Sequence, residues 1–137
     1  MITNYLVPKP TDVHRQIENK LLTYGGKELV CLPEDNLERL LDGEIMTCQK
    51  VIMKKGMVSE CHLNALTLYL NHPGLYTCAY GYALSNDGLW RQHSWLVRKD
   101  GAIIETTEKR LLYFGFLLNE KDIKEQVTML TASYRKE

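Results

Sequence analysis

The chain has 137 residues, a length that suits one domain and can bury roughly two thirds of its unfolded surface without a metal or disulfide staple. Hydrophobic residues make up 45% and charged residues 25%, a balance that excludes disorder by composition. Seventeen basic residues cancel seventeen acidic ones, so there is no global basic field and no nucleic-acid partner is expected.

The longer apolar stretches are short, such as Leu111 to Leu118 with Gly115 inside, whereas a bilayer span needs about 20 residues. No membrane partner is therefore expected. The opening run from Met1 to Pro8 lacks a charged region followed by an apolar core, so it does not read as a secretory signal. Cys31, Cys48, Cys61 and Cys78 form no C-x-x-C pair. The expectation is reduced thiols in a cytoplasmic protein, which leaves one of them available as a nucleophile.

Residues 1–10, with Pro8 and Pro10, read as an extended arm. Thr11 is placed as an N-cap, and Val13, Ile17, Leu21 and Leu22 recur at helical spacing until Gly25 and Gly26 stop the helix. Lys27–Leu32 is a strand candidate ended by Pro33. Glu34–Asp42 reads as a short helix, closed by Gly43, and Thr47–Met53 as a further strand. Ser59 is the expected cap of a helix carrying Leu63, Ala65, Leu66 and Leu70, which Asn71, Pro73 and Gly74 terminate.

The pattern then changes to period two. Leu75–Leu84, Leu89–Arg98 and Ala102–Thr107 read as strands of an antiparallel meander, separated by Asn86, Asp87 and Gly88 and by Lys99, Asp100 and Gly101. A last helix, capped by Asn119, runs from about Glu120 to near Tyr134 with Ile123, Val127 and Leu130 facing inward. The fold class is α+β: a single domain over 1–137, with an N-terminal helical subregion (1–58), a core (59–118) and a C-terminal helix (119–137).

Cys61 falls in the first turn of its helix. There, unpaired backbone N–H groups and the positive dipole end favour thiolate and can also receive a developing oxyanion. The bland reading is a buried cysteine acting as a small hydrophobe. His93 sits in a strand and shares a face with Trp95 and Val97, which offers a general base a rigid, partly dehydrated seat. A hydrogen-bonded core histidine is the alternative.

The third group depends on register. A three-residue loop over Lys99, Asp100 and Gly101, with Gly101 in the left-handed position, pairs Arg98 with Ala102, Val97 with Ile103 and Trp95 with Glu105. Glu105 is then a diagonal neighbour of His93, roughly 7 Å away backbone to backbone. A two-residue turn would instead pair Leu96 with Glu105 and send the carboxylate to the other face.

Taken in order, these residues carry a resemblance. Glu60, Cys61, His62, Leu63, Asn64 and Ala65 open a helix; Gly81 and Tyr82 follow in a strand, then His93, Ser94 and Trp95, then Glu105, Thr106 and Thr107. This order resembles the core of the transglutaminase-like, papain-like cysteine enzymes over residues 59–107. The superfamily usually has aspartate followed by Pro-Thr at the last element, from which Glu105, Thr106 and Thr107 depart.

The resemblance implies a nucleophile-bearing helix packed on an antiparallel sheet and a Cys61–His93–Glu105 triad. It implies acyl transfer on an amide of a peptide or protein substrate, without a cofactor. Water as acceptor makes the chain a thiol protease, deamidase or amidase, and an amine makes it a transglutaminase. Papain-like enzymes add a glutamine donor ahead of the cysteine, for which Gln49 is the nearest candidate. A catalytically inactive binding module of the same fold is the competing reading.

His62 points about 100° away from Cys61 on the helix and reads as a groove-lining or hydrogen-bonding residue rather than the base. Asn64 reads as a helix-ordering or substrate-groove residue, and Trp95 as core that could roof the site. Tyr76, Tyr80 and Tyr82 alternate as sheet packing, and Met46, Met53 and Met57 fill gaps. A zinc site would need Cys48, Cys61, His62, Cys78 or His93 to converge without any paired-ligand spacing, so no metal is expected. Lys50, Lys54 and Lys55 read as a solvated edge, and Gly25 and Gly26 lack the Lys-Ser/Thr of a phosphate loop.

Overall fold

A computed structural model describes residues 11–47 and 50–135. The extended arm expected over residues 1–10 lies outside them, as do Cys48 and Gln49. Along the chain run α1 (Asp12–Leu22), β1 (Glu28–Leu29), α2 (Leu37–Leu41), β2 (Glu44–Ile45), β3 (Val51–Met53) and α3 (Cys61–Asn71). β4 (Tyr76–Leu84), β5 (Leu89–Arg98), β6 (Ile103–Glu105), β7 (Leu112–Leu117) and α4 (Glu120–Arg135) follow.

The fold is mixed α+β. Among the described residues, seven strands form one sheet in the order β2-β7-β4-β5-β6-β3, with β1 added alongside β5. The expected meander β4-β5-β6 is present, and β5 runs antiparallel to β6. The sheet is nevertheless not wholly antiparallel, because β1 joins β5 and β3 joins β6 in parallel. Two strands also go beyond the sequence reading: β7 lies between β2 and β4, and β2 is a two-residue strand paired to it through Glu44↔Gly115 and Ile45↔Phe114.

The chain forms two compact units, each assembled from separate segments. The first takes residues up to Thr47, Gly81–His93 and Arg110–Phe116. Here Thr11 caps α1 by accepting the His14 N–H at 3.1 Å, while its own N–H donates to His14 Nδ1 at 3.2 Å. An Nδ1 that accepts leaves the proton on Nε2, which donates to the Leu32 carbonyl at 3.3 Å. His14, Ile17 and Leu21 thereby form the buried stripe of α1. Glu18 accepts the Leu29 N–H, tying β1 to that helix, and Trp90 Nε1 donates to the Gly25 carbonyl, tying β5 to the turn after it. The helix expected over Glu34–Asp42 is confined to Leu37–Leu41, and Lys20 Nζ donates to the carbonyl of its last residue, Leu41, and to that of Gly43 beyond it.

The second unit takes the stretch that follows Thr47 as far as Tyr80, then Ser94–Lys109 and everything from Leu117. Its core joins Ala65 and Leu66 of α3, Tyr76 and Cys78 of β4, Leu96 of β5, Ile104 of β6 and Ile123 of α4. Burial of these side chains holds α3 and α4 on the sheet by the hydrophobic effect. Asn119 starts α4 with a reciprocal cap: the Asp122 N–H donates to Asn119 Oδ1 and the Asn119 N–H to Asp122 Oδ2, both at 2.9 Å.

The β5–β6 turn is the three-residue form. Gly101 has φ 88, its N–H donates to the Arg98 carbonyl at 2.9 Å, and the Arg98 N–H donates to the Ala102 carbonyl at 2.9 Å. A left-handed φ is cheap only for glycine, so this residue fixes the loop length. Leu96 pairs with Ile104 and Val97 with Ile103, the register expected from the loop sequence.

Candidate functional site

Cys61 is the first residue of α3 and is half-buried. The cap position is one residue later than expected: Glu60, not Ser59, is the N-cap, and its side chain makes no capping bond. Ser59 instead takes φ 60, the left-handed region that a non-glycine residue enters at a cost. Glu60 has φ −115 and ψ 45, unlike the extended backbone from which a side chain reaches back to cap. The first turn of α3 also carries no acidic residue. An anion at this helix start meets the positive dipole end.

His62, next along α3, hydrogen-bonds through Nδ1 to Ser94 Oγ of β5, and its ring lies 5.7 Å from that of Tyr80. Ser94 was not singled out from the sequence, although alternation with Trp95 could have given it to the helix-covered side of β5. Asn64 is buried, and both ends of its carboxamide engage the backbone of Met57.

His93 belongs to the first unit, in β5, and is 1% exposed. Its ring centroid lies 6.2 Å from that of Tyr113. Glu105 belongs to the second unit and ends β6. It is fully buried, and its Oε2 accepts from the Thr107 N–H at 3.0 Å and the Thr107 hydroxyl at 3.1 Å. A buried carboxylate needs such donors, and the Glu-x-Thr spacing was the sequence signal for them. Continuing the β5–β6 register sets Trp95, fully buried, opposite Glu105. Both then face away from the side where Leu96 and Ile104 pack under α3.

The other two described thiols are Cys31 and Cys78. Burial, with Glu18 and Glu28 adding to it, raises the Cys31 thiol above its ordinary value. Burial alone pushes Cys78 up to about 12. Both environments hold the proton on sulfur. Cys31, Cys61 and Cys78 are not joined in disulfides. No cluster of three or more His, Cys, Asp or Glu able to hold a metal ion occurs among the described residues, and none of their helices is long and apolar enough to cross a membrane.

Trp90 and Tyr82 are core residues, with Tyr76 buried as well. Tyr82 has its hydroxyl pKa raised, by burial first and then by Glu34 and Cys31. Met57 does not fill a gap; it is 63% exposed. Comparison with known proteins finds no matching family model, no matching curated protein and no matching solved structure.

Proposed function

We propose that the chain is a cysteine-dependent acyl-transfer enzyme acting on an amide of a peptide or protein, with Cys61 as nucleophile, His93 as base and Glu105 as the acid that orients it. The core is then papain-like in its logic, and the protein works in a reducing, cytoplasmic compartment without a cofactor. What supports the reading most is the position of Cys61 as the first residue of α3, at the positive dipole end and behind a Glu60 whose side chain makes no capping bond. The three-residue β5–β6 loop adds to it, since that register turns Glu105 to the same side of its strand pair as Trp95, two residues beyond His93.

In this reading His93 takes the Cys61 proton and the sulfur attacks the carbonyl carbon. The backbone N–H of Cys61 stabilises the tetrahedral oxyanion. Collapse breaks the C–N bond, the departing amine takes the proton from His93, and a thioester remains. Water then attacks with His93 as base, releasing acid and free thiol; an amine in its place gives a new amide. Gln49 stays the side-chain candidate for the oxyanion.

A non-catalytic binding module is the second reading. It is favoured by the side of the sheet that Trp95 and Glu105 occupy, away from the α3 core. Labelling with a peptidyl vinyl sulfone, and mass spectrometry of proteins incubated with the wild type or Cys61→Ala, separates the two. The enzyme reading expects Cys61-dependent labelling, with substrates that gain one dalton, are cleaved or become crosslinked. Identical labelling and substrate masses with both proteins would contradict it.

A further inference from the structure

The turn that leads into Cys61 is held by one side chain. Asn64, 7% exposed, accepts the Met57 N–H on Oδ1 at 2.9 Å and donates from Nδ2 to the Met57 carbonyl at 2.8 Å. This bidentate bracket pairs residue 57 as a neighbouring strand would. Gly56 lies so close to it that a Cβ there would stand 2.5 Å from Asn64 Cγ.

The Glu60 N–H also donates to the Met57 carbonyl, at 3.3 Å, closing a turn in which Ser59 has φ 60. Inside the helix the Asn64 N–H donates to the Glu60 carbonyl at 2.8 Å. The chain before the turn is anchored as well, because Lys54 and Gly56 donate to the carbonyls of Glu105 and Thr106, both at 2.8 Å. Residues 57–60 are therefore fixed at their start by the Asn64 side chain and at their end by its backbone.

We propose that Asn64 is a positioning residue for the nucleophile: its carboxamide fixes the Met57–Glu60 turn and so sets the direction in which the first amides of α3 meet the Cys61 sulfur. The proposal rests on the reading of Cys61 as nucleophile. Without the bracket, the turn that holds Ser59 left-handed loses its two side-chain hydrogen bonds, and the start of the helix can unwind around the thiol. A residue placed one turn along α3 thereby controls sulfur chemistry without touching substrate.

The test is the rate of Cys61 alkylation by iodoacetamide from pH 5 to 9, followed by peptide mass mapping. It compares wild type, Asn64→Ala, the isosteric Asn64→Asp, and Leu66→Ala as a buried substitution elsewhere in α3. The expected result is a wild-type reaction that persists at acid pH, a loss of at least tenfold at pH 6 in Asn64→Ala, and a Leu66→Ala profile like wild type. Asn64→Asp, which keeps the acceptor for Met57 N–H but loses the donor, is expected to shift the profile in the same direction, and it carries the test should Asn64→Ala not fold. An active wild type with unchanged profiles in both Asn64 variants would overturn the positioning role alone, as would an equal shift in Leu66→Ala. An ordinary thiol profile in the wild type would overturn the nucleophile reading, and the positioning role with it.

Discussion

α1 and α3 are both eleven residues long, yet their first turns are built on opposite plans. α1 begins from extended backbone at Thr11, with φ −85 and ψ 172, and closes a reciprocal capping box with His14. α3 begins from a turn with a left-handed Ser59, a cap residue whose side chain makes no capping bond, and a bracket from Asn64. In the first case the side chains that satisfy the helix also stabilise it. In the second, stabilisation is moved off the helix end and into the turn ahead of it. A helix start whose N-cap side chain makes no capping bond is poorer for stability and leaves the positive dipole end facing outward.

Substitutions at the two caps probe that contrast unequally. Thr11→Ala removes the α1 box and is expected to cost about 1 kcal/mol, read from urea unfolding. A loss below about 0.3 kcal/mol would show that α1 does not depend on its cap. The smaller effect is expected at α3. Glu60→Ser supplies a good capping side chain, but ψ 45 is the wrong backbone for it, so stability is expected to stay within about 0.3 kcal/mol of wild type. A gain near 1 kcal/mol would mean that this helix end differs from α1 only in side-chain identity.

The same pair shows what could be read from the sequence. Thr11 was legible as a cap because it stands directly before the apolar residues at helical spacing, whereas its partner His14, a buried residue, was not. Ser59 was not, because a serine before an apolar helix fits a cap or a turn equally well, and the Asn64–Met57 bracket decided between them.

Gly101 made the β5–β6 register legible, since a loop of defined length fixes pairing. β7 was missed because Tyr113, Phe114 and Gly115 are consecutive buried residues, so the run shows no alternation to mark a strand. β1, β2 and β3 span only two or three residues each, and their type is set by the strand they join rather than by their own sequence. Within the candidate site, the positions of Cys61 and Glu105 in their elements followed from local pattern. The His62–Ser94 bond joins residues far apart in the chain and had no local signal.

The thiols give the central claim its most direct test, because the chain carries its own controls. Cys78, pushed up to about 12 by burial, is expected to stay protonated through neutral pH, and Cys31 is raised in the same direction. The Cys78 contribution to stability is full below the ordinary thiol pKa near 9 and is lost as pH rises from there towards 12, because the unfolded chain gives up that proton first. The decisive measurement is the pH dependence of iodoacetamide alkylation at each thiol, in wild type and in His93→Ala. The account predicts that Cys61 alone reacts fast at pH 6 and that His93→Ala removes this advantage; a Cys61 rate that tracks the other thiols, or that His93→Ala leaves untouched, would contradict it.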